Sequence, residues 1–74
     1  MMMEKLTSRE LEIARMISQG MMVKEIAKTI YMNEDSVTRI LGNIYKKLGY
    51  TDGSKRSKLA ASYTEYRKRT SILF

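Results

Sequence analysis

The chain contains no cysteine, no histidine, no proline and no tryptophan. Without cysteine it forms no disulfide and no thiolate metal site. Without histidine it lacks the commonest general base and the commonest metal ligand. The sequence also shows no nucleophile motif and no phosphate-binding loop, so we predict that the protein is not an enzyme and binds no cofactor or metal.

Long apolar runs are also missing. No stretch approaches the ~18 apolar residues that a membrane span requires. The residues that follow Met1 run directly into Glu4 and Lys5, without the apolar region or cleavage site of a signal peptide. With 74 residues, the chain is expected to form one domain over residues 1–74, located in the cytoplasm and without a membrane partner.

The charge balance is basic. Fourteen lysines and arginines face eight aspartates and glutamates, for a net charge of +6. Such an excess favours an anionic partner, either nucleic acid or an acidic protein surface. The alternative interpretation is that the excess serves solubility alone.

The helix signals begin close to the N-terminus. Thr7 and Glu10 have the spacing of a capping box, in which each residue's side chain bonds the other's backbone amide. The apolar residues that follow recur at helical spacing and predict a first helix over residues 8–19. Gly20 is placed to end it in the left-handed conformation.

Two further helices follow with a short turn between them. The pattern predicts a second helix over residues 23–30 and a third helix that starts after Asn33, a good N-cap, and ends at Gly49. A fourth helix, the expected dimerisation helix, is placed within residues 54–69, with its start between residues 54 and 57. The sequence therefore predicts an all-α domain of four helices with a helix-turn-helix in the middle. The third helix carries one continuous apolar stripe, formed by Val37, Leu41, Ile44 and Leu48.

The order and spacing of these signals resembles the LuxR/FixJ-type helix-turn-helix family of bacteria, including its small GerE-like members. The resemblance runs without a gap over residues 6–49. It rests on Leu6, Thr7, Arg9, Glu10, Glu12, Ile13, Gly20, Lys24, Glu25, Ile26, Ala27, Ile30, Met32, Asn33, Ser36, Val37, Leu41, Ile44, Tyr45, Lys47, Leu48 and Gly49.

The resemblance implies a DNA-binding transcription regulator that acts on double-stranded DNA, as a homodimer. In that family the second helix is a scaffold, the third enters the major groove, and the fourth contacts the other subunit. The base-facing positions then fall on Thr38, Arg39, Gly42 and Asn43, and the backbone contacts on Lys24, Asn33, Ser36, Lys46 and Lys47. The dimer interface falls on Leu59, Ala60 and Tyr63.

Arg39 is the strongest candidate for base recognition on its own evidence. It follows Val37 by two residues, so it points away from the apolar stripe, and an arginine can pair with both acceptors on a guanine edge. The alternative is a solvated arginine that balances Glu34 or Asp35 one turn back. Asn43 lies on the same side and can bond adenine through two hydrogen bonds.

Several positions depart from the family pattern and favour a second hypothesis. The family usually has a basic residue at Thr38, histidine at Ile40 and arginine at Gly53, and Gly42 offers no side chain. On this hypothesis the domain binds and modulates a larger transcription regulator or RNA polymerase, through the fourth helix and the apolar tail 72–74. A third hypothesis, a module resembling region 4 of sigma factors, fits the ends of the motif less well. Core or interface positions, rather than base stacking, are expected for Tyr31, Tyr45, Tyr63 and Tyr66.

Overall fold

The computed structural model describes residues 2–51 and 53–72. This part of the chain contains a 3-10 turn at Met2–Lys5 and four α-helices, and no strand. The all-α prediction is therefore confirmed. Residues 73 and 74 of the apolar tail lie outside the described residues. The helices are α1 at Ser8–Ser18, α2 at Val23–Thr29, α3 at Glu34–Leu48 and α4 at Lys55–Ile72.

Local sequence signals determine where α1 and α3 begin and end. The Glu10 amide donates to Thr7 Oγ1 at 3.2 Å, and the Thr7 amide donates to Glu10 Oε1 at 2.8 Å, which confirms the capping box. Asn33 caps α3 by accepting a hydrogen bond from the Ser36 amide at 2.8 Å. At the other end, Gly49 has a left-handed φ of 74°, a conformation that glycine adopts without steric cost.

All four helices contribute to one hydrophobic core. Ile13, Ile26, Ile44 and Leu59, one from each helix, are each 0% exposed. The whole predicted stripe of α3 is buried as well. Burial of these aliphatic side chains is the main stabilising contribution available to a domain of this size.

The N-terminal turn belongs to the core, although no pattern in the sequence predicts it. Met3 is 1% exposed, and the turn packs against both α3 and α4. The residues before the capping box thus add to the packing between α3 and α4.

Helix α4 packs mainly on α1, and its position shows that one residue predicted for the dimer interface is buried. It begins at Lys55, within the predicted window, and continues three residues beyond the predicted end. Leu59, expected in the dimer interface, is buried inside the protomer, so it cannot contact a second chain while the domain stays folded. Tyr63 is half-buried against the core, and Ala60 remains partly accessible.

Two absences apply to residues 2–51 and 53–72. No helix there has the length and hydropathy that would let it cross a membrane. The same residues contain no group of three or more acidic side chains placed to hold a metal ion.

Candidate nucleic-acid interface

Helices α2 and α3 form the helix-turn-helix. They pack against each other, and residues 30–33 connect them. Because the apolar stripe of α3 faces the core, the opposite side of this helix faces outwards. A helix of 15 residues is ~22 Å long and has the diameter that the major groove admits.

The outer side of α3 brings together five of the predicted site residues. Residues three, four or seven positions apart are neighbours on a helix surface, so Arg39, Asn43 and Lys46 share one side. Thr38 and Gly42 form the adjoining row. All five are exposed. The face therefore combines a guanidinium, an amide, an ammonium and a hydroxyl group, with a gap in side-chain cover at the glycine.

Arg39 has no ion-pair partner among the described residues. The arginine side chain is exposed, and ion pairs such as Arg9 with Glu12 and Lys47 with Glu10 do not involve it. The alternative in which Arg39 balances Glu34 or Asp35 is therefore absent from the structure. The guanidinium is available to a ligand without first breaking a salt bridge.

Three further residues of the predicted site lie at the starts of the two helices of the motif: Lys24 in α2, and Asn33 and Ser36 in α3. Lys24 is exposed in the first turn of α2. The Glu25 carboxylate accepts a hydrogen bond from the Met22 amide at 3.0 Å and so closes the start of that helix. At the start of α3, the Ser36 amide donates a hydrogen bond to the Asn33 side chain. Both residues therefore lie at the positive end of the α3 dipole, where anions are favoured.

Lys47 is separated from the exposed face. Its Nζ lies 2.7 Å from Glu10 Oε1, the oxygen that also accepts from the Thr7 amide. Burial alone would raise the pKa of Glu10, but the hydrogen bonds from Lys47 and Thr7 and the charge of Lys47 together hold it below its usual 4.5. The structure thus uses Lys47 to join α3 to α1, whereas the adjacent Lys46 points to solvent.

A cluster at the start of α4 went unpredicted. Lys55 Nζ lies 5.5 Å from the centroid of the Tyr45 ring. Arg56 Nη2 donates to the Met21 carbonyl and lies 3.8 Å from Met22 Sδ. Burial raises the pKa of Tyr45, and the charge of Arg56 opposes that rise. The cluster therefore connects α3, α4 and the loop before α2, and only this tertiary arrangement could have revealed it.

The positive charge is concentrated on α4. This helix has six basic residues and one acidic residue, a net charge of +5. The rest of the chain has eight basic and seven acidic residues, a net charge of +1. The basic excess that suggested an anionic partner thus lies mainly outside the helix-turn-helix. The basic residues of α4 are Lys55, Arg56, Lys58, Arg67, Lys68 and Arg69.

The outer side of α4 carries small residues. Ser57, Ala60, Ala61 and Thr64 are neighbours at helical spacing, and all four are exposed or partly exposed. The larger aromatic residues face the other way: Tyr63 and Tyr66 pack against the core, with ring centroids 6.1 Å apart. Of the predicted dimer residues, Ala60 is thus the one on the outer side.

Comparison with known families gives one result. The family model GerE, described as bacterial regulatory proteins of the luxR family, matches residues 4–60. The match extends from the N-terminal turn into α4 and includes the whole helix-turn-helix. No curated protein and no solved structure gives a significant match to the chain.

Proposed function

Because the chain belongs to the luxR family of bacterial regulatory proteins, we propose that it is a sequence-specific transcription regulator that inserts α3 into the DNA major groove. Membership of the family supports the general function of a DNA-binding transcription regulator. The specific mode of binding is supported by one observation above all. Arg39 is exposed and unpaired within the described residues, on the same side of α3 as Asn43 and Lys46.

Each group on the outer side of α3 has a matching partner on DNA. Arg39 would bond the two acceptors of a guanine, and Asn43 the donor and acceptor of an adenine. Thr38 can contact a thymine methyl group or a phosphate. Lys46 is suited to a backbone phosphate, because an ammonium group binds phosphate without sequence preference. Gly42 would let the helix backbone approach the groove closely.

The starts of α2 and α3 supply further backbone contacts in this proposal. Lys24 lies in the first turn of α2, where the helix dipole and the ammonium group attract the same phosphate. Asn33 and Ser36 hold the start of α3, which would face the groove. These contacts would fix the orientation of the protein on the duplex and leave the choice of sequence to α3.

We propose that two copies act together, with α4 as the contact. Since Leu59 is buried, the accessible surface is the row of small residues that includes Ala60. Small side chains would let two helices approach each other closely. A dimer would place two α3 helices about one turn of DNA apart, ~34 Å, on a roughly palindromic site. Sedimentation of the protein with and without duplex would measure the stoichiometry.

The test of the function compares two arginine variants. Sites are first selected from random duplexes with the wild-type protein, and binding is then measured by fluorescence anisotropy. Arg39→Ala is expected to weaken binding to the selected site by about 5- to 150-fold, the equivalent of ~1–3 kcal/mol per bidentate base contact. Arg15→Ala, which removes an exposed arginine from α1, is the matched control and should have a small effect. A folded wild-type protein that shows no salt-dependent binding to any duplex would contradict the proposal.

A second candidate function rests on the charge distribution. A net charge of +5 on α4 also suits an acidic surface on a larger transcription regulator or on RNA polymerase. In that case Arg39→Ala would leave the interaction unchanged, and substitutions on α4 would weaken it.

A further inference from the structure

The cluster of Tyr45, Lys55 and Arg56 lies outside the set of residues to which the proposed function assigns base recognition. It occupies the junction between α3, the start of α4 and the loop before α2. On the surface of α3, Tyr45 is three positions from Gly42 and seven from Thr38, so it adjoins one edge of the outer side. The cluster is therefore next to the surface that would face DNA.

The Tyr45 ring holds the Lys55 side chain in one region of space. The ammonium group lies 5.5 Å from the ring centroid, within the range of a cation–π interaction. A lysine restrained in this way loses less side-chain entropy when it binds an anion than a freely moving one. The ammonium group has three donors, and contact with a ring face leaves donors for an oxygen ligand.

The surroundings of Lys55 favour an anion. The first turn of α4 contains Lys55 and Arg56 and no acidic residue. Cations at the N-terminus of a helix are opposed by the helix dipole, and neither residue forms an ion pair with a described carboxylate. A phosphate placed here would interact favourably with the helix dipole and would supply the negative charge that both side chains lack.

Arg56 attaches the start of α4, and with it Lys55, to the helix-turn-helix. Its guanidinium donates to the Met21 carbonyl and contacts the Met22 sulfur. The start of α4 is thereby attached to the residues that lead into α2. Lys55 consequently keeps a defined position relative to the first turn of α2, where Lys24 is expected to contact the backbone.

We propose that Lys55, positioned by the Tyr45 ring, binds a backbone phosphate of the same duplex whose major groove α3 enters. This inference rests on the proposed function and adds α4 to the DNA-contacting surface. Lys55 contributes affinity and no sequence preference, because the ligand is a phosphate.

The experiment measures how binding depends on salt. Binding of a random-sequence duplex is titrated by fluorescence anisotropy at several salt concentrations for the wild type, Lys55→Gln and Lys68→Gln. Each phosphate contact contributes ~0.9 to the slope of log K against log salt concentration. Lys55→Gln is expected to lower the slope by about that amount, and Lys55→Arg to restore it. Lys68→Gln is the matched control: it removes the same charge from an exposed position of the same helix, ~20 Å away along its axis. It should leave the slope unchanged.

The contribution of the ring is tested by two variants of Tyr45. Tyr45→Phe keeps the aromatic face and should bind like the wild type. Tyr45→Leu removes it and should weaken binding at low salt in the wild-type Lys55 background, with a much smaller effect in the Lys55→Gln background. Circular dichroism spectra of each variant establish that the comparison is made on folded protein.

Three results would count against the inference, and they separate it from the proposed function. Equal reductions in slope for Lys55→Gln and Lys68→Gln would indicate a response to total charge and overturn the contact. An unchanged slope for Lys55→Gln, with binding still weakened by Arg39→Ala, would overturn the contact and leave the proposed function intact. Absence of any salt-dependent duplex binding by the wild type would overturn both.

Discussion

Helices α3 and α4 are held in the domain in different ways. The stripe of α3 buries four aliphatic side chains along its length, so core packing determines which side of the helix faces outwards. Helix α4 is longer, yet Leu59 is its only described residue that is fully buried. Two polar contacts in the first half of the helix add to this burial: Ser62 with the Tyr50 hydroxyl, and Arg56 with the Met21 carbonyl. The outer side of α3 can therefore change in sequence without moving the helix, whereas α4 depends on Leu59, on the half-buried rings of Tyr63 and Tyr66, and on these polar contacts.

The largest expected effect is a loss of stability, and the same substitution made in each helix tests the difference between α3 and α4. Leu59→Ala in α4 and Leu41→Ala in α3 should each lower the free energy of unfolding by about 2–5 kcal/mol, because both leave a cavity in the core. Leu41 has three other buried stripe residues beside it, so α3 should remain docked. Leu59 has none on its own helix, so its loss should also release α4.

Urea unfolding measures the loss of stability in the two variants, and amide hydrogen exchange measures which helix opens. Faster exchange confined to α4 is expected in Leu59→Ala. If both variants accelerate exchange equally in the two helices, the difference in attachment does not exist.

An intermediate effect is expected where α3 joins α1. Lys47→Met removes the partner of the buried Glu10 carboxylate and should destabilise the fold by about 1–2 kcal/mol near neutral pH, since hydrogen bonds to charged groups are stronger than average. The matched control is Lys46→Met, which removes the neighbouring exposed charge and should change stability little. For DNA binding we expect Lys46→Met to have the larger effect of the two. It should lower the slope of log K against log salt concentration by ~0.9.

The same two variants should also differ in how their stability depends on pH. The pKa of Glu10 is lower in the folded protein than its usual 4.5. Ionised Glu10 therefore stabilises the fold above that usual value, and the stabilisation is lost as pH falls through the folded pKa. The loss on acidification should be smaller in Lys47→Met than in the wild type or Lys46→Met. Urea midpoints measured from about pH 7 down to about pH 3 would test this, and parallel curves for all three proteins would contradict it.

The smallest effect concerns a single methyl group on the outer side of α3. A Cβ at Gly42 would meet no atom within 4 Å, so Gly42→Ala should stabilise the helix by about 1 kcal/mol. Since the position is expected to approach the duplex, the same variant should bind DNA more weakly while it melts at a higher temperature. Thermal denaturation and DNA titration of one preparation measure both. A more stable variant with unchanged affinity would remove Gly42 from the interface.

The sequence predicted the features that depend on near neighbours. The capping box, the Asn33 cap, the left-handed Gly49 and the α3 stripe are all determined within a few residues. Helix α4 gave no comparable signal, because it has no continuous apolar stripe to define its buried side. A leucine on such a helix has the same local sequence whether it faces α1 or a second chain. For that reason Leu59 was assigned to the wrong surface.

Two further differences have the same physical origin. Tyr31 was expected in the core or an interface. The residue is 94% exposed, which excludes the core, and its φ of 57° is left-handed. A tyrosine carries no local preference for that conformation, so the residue pattern does not predict it. At the candidate site, Lys46 and Lys47 are adjacent lysines with equivalent sequence signals. They differ because Glu10, 37 residues from Lys47, pairs with one of them.

The Glu10 carboxylate also bears on the order in which the fold assembles. Its oxygen accepts one hydrogen bond from a residue three positions away and another from a residue 37 positions away. The short-range contact closes a loop of a few residues and forms on the timescale of helix initiation, whereas the long-range contact waits for a large loop to close. We therefore expect the acceptor to be oriented before α3 docks on α1, so that only the lysine still has to lose rotational freedom. A helix cap thus serves as a template for tertiary docking.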